Sequence, residues 1–177
     1  VQGYFNKLRG SNSRFACLAC ASGRWSDNAG RADDCTACIP GKYQPAQAST
    51  NECSSCPEGY AQMAEGRASC DACIPGHYAS LSNRESCRKC EEGRFARPSA
   101  STKCSLCPGG FSNAKEGQGA CVPCYPGKFS ITDGARSCEQ CPRNHKMPDP
   151  MSNVSCQVCP NGWFNDVLGS IACTRIP

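Results

Sequence analysis

The sequence predicts a small disulfide-rich fold, mostly irregular with short β-hairpins, drawn out into an elongated rod of about ten 17–18-residue CxxC repeats. Three observations carry that expectation. The 177-residue chain holds 19 cysteines, a density typical of disulfide scaffolds. Large apolar side chains are scarce: five Leu, five Ile, five Val and six Phe. They are too few for the single core around which a chain of this length normally folds. The cysteines recur in pairs at a fixed spacing, which marks an internal repeat.

The pairs are Cys17/Cys20, Cys35/Cys38, Cys53/Cys56, Cys70/Cys73, Cys87/Cys90, Cys104/Cys107, Cys121/Cys124, Cys138/Cys141 and Cys156/Cys159, and Cys173 follows alone. Successive pairs begin 17 or 18 residues apart. The units run roughly over 1–17, 18–35, 36–53, 54–70, 71–87, 88–104, 105–121, 122–138, 139–156 and 157–173. No low-complexity linker interrupts them, so 1–177 reads as one continuous array.

Each unit opens with a turn. Three places after the second cysteine of every pair stand Gly23, Gly41, Gly59, Gly76, Gly93, Gly110, Gly127, Asn144 and Gly162. Gly and Asn tolerate positive φ, and Ile39-Pro40-Gly41, Ile74-Pro75-Gly76 and Tyr125-Pro126-Gly127 fit type II turns. A short strand follows, marked by an aromatic residue: Tyr4-Phe5, Trp25, Tyr43, Tyr60, Tyr78, Phe95, Phe111, Phe129 and Trp163-Phe164. Rings this evenly spaced predict packing over the nearby disulfide and the neighbouring unit rather than a binding site. The unit ending at Cys156 offers Lys146-Met147 instead of a ring and is expected to be the softest. A polar segment with a second turn, at Gly66, Gly117, Gly134 or Gly169, leads to a second strand closed by cysteine. No stretch has helical periodicity. One loop and one ring do not offset the ordering of a whole unit, so units must stack on one another.

The spacing admits more than one cysteine chemistry. Two CxxC knuckles 13 or 14 residues apart also suit zinc. A four-cysteine site consumes two knuckles, however, so zinc repeats should alternate liganding gaps with linkers, and here the gap is uniform. The simplest disulfide ladder joins Cys20–Cys35, Cys38–Cys53, Cys56–Cys70, Cys73–Cys87, Cys90–Cys104, Cys107–Cys121, Cys124–Cys138, Cys141–Cys156 and Cys159–Cys173. A crossed ladder, first to first and second to second, competes with it. Cys17 is left unpaired within the chain. Gly3-Tyr4-Phe5 resembles the turn and ring of a unit, which leads to the expectation of a cysteine just before Val1 as the partner of Cys17. The alternative is a free or cross-chain thiol.

Segments such as CVPCYPGKFSITDGARSCEQC and CDACIPGHYASLSNRESCRKC resemble the ephrin-receptor-like cysteine-rich repeat, and the unit is also similar to the first submodule of tumour-necrosis-factor-receptor cysteine-rich domains. In that submodule the cysteine before the turn pairs with the cysteine about 14 residues on. The resemblance therefore implies the uncrossed ladder and an extracellular module with a structural or interaction role. It does not name a ligand.

Other signals are weaker. Net charge is +4 with no run of like charges longer than two, unlike a nucleic-acid binder. No apolar stretch is long enough to span a membrane. Arg24, Lys42, His77, Arg94, Lys128 and His145 recur beside the turn. They are read as stems lying over rings, with acidic polysaccharide as the functional alternative. Asn153-Val154-Ser155 is a glycosylation sequon. No catalytic motif is present, and His77 and His145 lie about four repeats apart.

The leading expectation is thus a non-enzymatic extracellular structural protein without cofactor, part of a surface filament, stalk or matrix. It is secreted or at the cell surface, and partnered by its own copies, other extracellular proteins or glycans. The alternative is a receptor or adhesion ectodomain for a protein or glycan ligand, and the third reading is a zinc-binding CxxC protein.

Overall fold

The computed structural model describes residues 2–6, 17–27, 34–81, 84–148 and 154–176. Among them every regular element is a short strand. In order they are β1(Tyr4–Asn6), β2(Cys17–Ala19), β3(Arg24–Trp25), β4(Thr36–Ala37), β5(Lys42–Tyr43), β6(Ser54–Ser55), β7(Tyr60–Ala61), β8(Asp71–Ala72), β9(His77–Tyr78), β10(Arg88–Lys89), β11(Arg94–Phe95), β12(Ser105–Leu106), β13(Phe111–Ser112), β14(Val122–Pro123), β15(Lys128–Phe129), β16(Glu139–Gln140), β17(His145–Lys146), β18(Gln157–Val158), β19(Trp163–Phe164) and β20(Thr174–Arg175). Each odd-numbered strand is bonded to the even-numbered strand after it. The registers are antiparallel, with Tyr43 facing Ser54, Phe95 facing Ser105 and Phe129 facing Glu139. This is a small disulfide-rich fold of repeated hairpins. Each second strand is the two-residue interior of a CxxC.

The turn positions explain why each hairpin starts where it does. The slot glycines have φ between 74° and 84°, and Asn144 has φ 61°, the left-handed region that other residues enter only at a cost. Each turn is closed by the cysteine after the second strand. Cys38 N–H donates to the Gly23 carbonyl (2.9 Å), Cys107 to Gly93 (2.9 Å) and Cys141 to Gly127 (2.9 Å). Nine disulfides then tie the strand ends: Cys20–Cys35, Cys38–Cys53, Cys56–Cys70, Cys73–Cys87, Cys90–Cys104, Cys107–Cys121, Cys124–Cys138, Cys141–Cys156 and Cys159–Cys173. Each joins the second cysteine of one pair to the first of the next, with Cα–Cα distances of 5.6–5.8 Å, ordinary for a disulfide.

By compactness the chain divides into two units: residues 1–74, 78–88 and 99–103, and residues 75–77, 89–98 and 104–177. Within the first unit the β3–β4 hairpin shows how neighbours join. Gly23 N–H donates to the Gln44 carbonyl (2.7 Å) and Ser26 N–H to that of Ser49 (3.1 Å), both in the next hairpin. Gly66 N–H, in the hairpin after that, donates to the Cys38 carbonyl (2.8 Å). The second unit repeats the scheme around the β11–β12 hairpin. Gly93 N–H bonds Asn113 (2.7 Å), Ala96 N–H bonds Gln118 (3.3 Å), and Gly134 N–H returns to Cys107 (2.7 Å). Each of these two hairpins is therefore bonded to the next and to the next but one.

This stacking presses one backbone against another. A Cβ added at Gly23 would collide with the carbonyl oxygen of Gly66, one at Gly76 with that of Gly117, and one at Gly93 with that of Gly134. The slot thus needs glycine twice over, for its φ and for the carbonyl two hairpins on. The second turn also has positive φ. It falls on Gly66, Gly117, Gly134 and Gly169 but also on Ala48 (φ 52°) and Ala100 (φ 58°), which carry no turn signal in the sequence.

The interior is made of sulfur and small side chains. Cys20, Cys38, Cys56, Cys73, Cys90, Cys107, Cys124 and Cys141 are buried. So is the residue three places after each slot: Ser26, Gln44, Gln62, Ala79, Ala96, Asn113, Ser130, Met147 and Asn165. The aromatic rings flank this column and stay half-buried or exposed. At Lys146-Met147, where a ring is missing, Met147 is 2% exposed and is the largest fully buried side chain. Its flexible thioether fills the interior there.

Candidate interaction surface

Four of the six recurrent side chains beside the turn, Arg24, His77, Arg94 and His145, bond locally. In the first unit, Arg24 Nη1 donates to the Cys35 carbonyl (2.8 Å) and meets Asp34 Oδ2 at 3.0 Å. In the second, Arg94 Nη1 donates to the Cys104 carbonyl (3.3 Å). His145 Nδ1 lies 3.0 Å from the Arg143 carbonyl and His77 Nδ1 lies 3.4 Å from that of Pro75, contacts the rings make as donors. These bonds fasten the two strands of a hairpin or the turn before it. They do not gather charge into one site.

The buried polar column is similarly consumed within the chain. Asn113 Nδ2 donates to the Arg94 carbonyl (2.9 Å), and Asn165 Nδ2 donates to that of His145 (2.7 Å). Gln62 Nε2 donates to Ser69 (3.0 Å). The shallow clefts are small. One of about 190 Å³ lies between Trp25, Ile39, Lys42 and Glu52 in the first unit. One of about 200 Å³ lies between Phe129, Ile131, Thr132 and Glu139 in the second. Both are below the usual size of a ligand pocket. Cys17 is a half-buried free thiol at the start of β2. Asn153 lies outside the described residues.

The outer surface changes character at the β19–β20 hairpin. Every slot from Gly3 to Gly127 is buried, whereas Asn144 and Gly162 are exposed. A Cβ at Gly162 would have nothing within 4 Å. Ile176 stands where a second cysteine would stand and still donates its N–H to the Gly162 carbonyl (2.9 Å). Trp163, Phe164, Val167, Leu168 and Ile171 are all exposed.

Residues 109–154 match the family model described as tyrosine-protein kinase ephrin type A/B receptor-like. That stretch is similar to the ephrin-receptor-like cysteine-rich repeat. The matched stretch covers the β13–β14 and β15–β16 hairpins and the start of the next, and the same turn, strand pair and disulfide recur on either side of it. No curated protein matches the chain by sequence. An extracellular location fits such disulfide-rich repeats. Among the described residues no helix is long and apolar enough to cross a membrane.

Proposed function

We propose that this ephrin-receptor-like array is a non-enzymatic structural protein of the extracellular surface, a disulfide-stapled spacer in a filament, stalk or matrix. One observation carries the reading. The same backbone bonds and the same disulfide recur from hairpin to hairpin, and they engage the groups that a binding or catalytic site would leave free. The nine disulfides use the sulfurs that a four-cysteine zinc site would need. The Arg and His side chains beside the turns bond their own hairpins. Repetition of this kind adds length and resistance to unfolding without adding a new site. Whether the protein is secreted or held at the cell surface is part of the same proposal. Its partners are its own copies first, with glycans bound through the sequon at Asn153.

Negative-stain imaging of the purified full chain tests the reading. Filaments or laterally ordered arrays support a structural element. Dispersed particles that bind a single extracellular protein with high affinity support the receptor or adhesion reading instead. The observation favouring that second reading is the exposed apolar cluster of Trp163, Phe164, Val167, Leu168 and Ile171 at the β19–β20 hairpin.

A further inference from the structure

Arg24 and Lys42 hold the same place in successive hairpins, one residue after the slot, and Asp34 and Glu52 hold the same place before the closing cysteine. In the β3–β4 hairpin the two charges close on each other. Arg24 meets Asp34 at 3.0 Å and also donates to the Cys35 carbonyl. In the β5–β6 hairpin the side chains of Lys42 and Glu52 make no ion pair or hydrogen bond among the described residues. No other hairpin of the array has a cation and a carboxylate at these two positions: His77 is matched with Ser86, Arg94 with Lys103, Lys128 with Ser137 and His145 with Ser155. One such pair is closed, and one is open.

The open pair lines the cleft of about 190 Å³ in the first unit, between the β3–β4 and β5–β6 hairpins. The apolar lining of that cleft is Trp25, Ile39, Ala37 and the Cys38–Cys53 disulfide. Trp25 is the one tryptophan among the rings two places after a slot. It is half-buried, and Ile39 is exposed, so the cleft opens to solvent. An indole face attracts polarised C–H groups. An ammonium only donates hydrogen bonds and a carboxylate only accepts them, whereas a hydroxyl does both. Lys42 repels a cation in this cleft and Glu52 repels an anion. The ligand that suits all three side chains is therefore uncharged, carries a flat C–H face and bears several hydroxyls. The cleft has room for one ring rather than a drug-sized molecule, and its open side lets a longer chain run on.

We propose that this cleft binds one pyranose unit of a neutral glycan, with the C–H face of the sugar on Trp25 and its hydroxyls between Lys42 and Glu52. The site goes beyond the structural role and stands or falls apart from it.

The test is binding of the full chain to a printed array of neutral oligosaccharides built from hexoses and N-acetylhexosamines, with a sulfated polysaccharide and free amino acids as counter-probes. Calorimetry gives the dissociation constant of what binds. A Trp163→Phe background leaves Trp25 as the only tryptophan, so its fluorescence reports the site. Trp25→Ala and Glu52→Ser install residues that the β7–β8 hairpin carries at the same positions, Ala61 and Ser69. Circular dichroism and the nine disulfides by peptide mapping check that both variants fold. The expected result is binding of at least one neutral oligosaccharide with a shift in Trp25 emission. Trp25→Ala abolishes the binding, and Glu52→Ser raises the dissociation constant about 10-fold, the loss of one hydrogen bond to a charged group. Binding of no neutral oligosaccharide overturns the site, and so does binding that either variant retains at native strength. A preference for the sulfated polysaccharide that fades with salt assigns binding to surface cations and overturns it too. Selective binding of a free amino acid overturns the class of ligand by assigning the cleft to a zwitterion. Imaging of the same samples keeps the readings apart. Filaments of a chain that binds no sugar overturn this site and leave the structural role standing, whereas sugar binding by dispersed particles supports the site and removes that role.

Discussion

The slots at Gly93 and Gly162 share one backbone shape and have opposite surroundings. Both have positive φ, 74° and 81°. Both carbonyls accept the N–H of the residue that ends the hairpin, Cys107 or Ile176, at 2.9 Å. At Gly93 the carbonyl of Gly134 presses on the Cα, and the slot is buried. At Gly162 nothing lies within 4 Å of a built Cβ. The comparison separates two demands that glycine meets at once. The turn requires positive φ, which Asn also satisfies, as Asn144 shows. The stack requires the absence of a side chain, which Asn does not satisfy. Asn144 keeps the turn, and its N–H still bonds the Asn165 carbonyl of the next hairpin (2.9 Å).

The sharpest break of that comparison exchanges the two residues. Gly93→Asn keeps the turn and puts a side chain against the Gly134 carbonyl, so it should cost more than about 4 kcal/mol, in the range reserved for severe packing defects. Asn144→Gly should change stability by less than about 1 kcal/mol. Denaturant melts of the two variants read both values, and equal effects would deny that the slots differ.

Disulfides extend the contrast. Replacing Cys107 and Cys121 by Ala removes a 14-residue cross-link worth about 3 kcal/mol and opens a void at the wholly buried Cys107. The same change at Cys159 and Cys173 removes an equal loop with less packing around it. The interior pair should lower the melting temperature further than the terminal pair.

Met147→Ala should cost about 2–5 kcal/mol, the usual range for truncating a buried methionine. Met63→Ala, at a side chain 75% exposed, should stay within about 0.5 kcal/mol. If the two variants melt alike, Met147 does not fill the interior of the unit that lacks a ring. The smallest effect is expected at Ala100, which adopts φ 58°. Ala100→Gly relieves that conformation and should raise stability by about 0.5 kcal/mol, visible as a small rise in melting temperature.

The hairpins were legible in the sequence because their signals are local. A glycine or asparagine at a fixed distance from cysteine announces positive φ, and a ring one or two places on announces a strand. Equal loop lengths pointed to disulfides without separating the uncrossed from the crossed ladder. The hairpin geometry separates them, because strand pairing brings the cysteine after one CxxC interior beside the cysteine before the next. The interior column was not legible. Ser26, Gln44, Ala79, Asn113 and Met147 share a buried position but no hydropathy, since a column lined by backbone and sulfur accepts any small or well-bonded side chain. The rings, expected to pack over the disulfide and the neighbouring unit, stay half-buried or exposed. Ala48 and Ala100 hid two second turns, because alanine gives no sign of a left-handed backbone. The contact between hairpins two apart depends on how successive hairpins are rotated, which spacing alone does not specify. That Leu168 stands where Gln47, Glu65, Ser99, Glu116 and Asp133 stand becomes visible only once the turns align the repeats.

The central claim is that each slot from Gly3 to Gly127 is sealed by the hairpins after it, whereas Gly162 is exposed among the described residues. Native-state hydrogen exchange on the full chain tests it residue by residue. The account predicts slow exchange at the amides of Gly76, Gly93, Gly110 and Gly127, each bonded to the next hairpin at 2.7–3.0 Å. It predicts exchange close to the unprotected rate at Gly162 and Asn165. Strong protection of Gly162, or rapid exchange at Gly93, would contradict it.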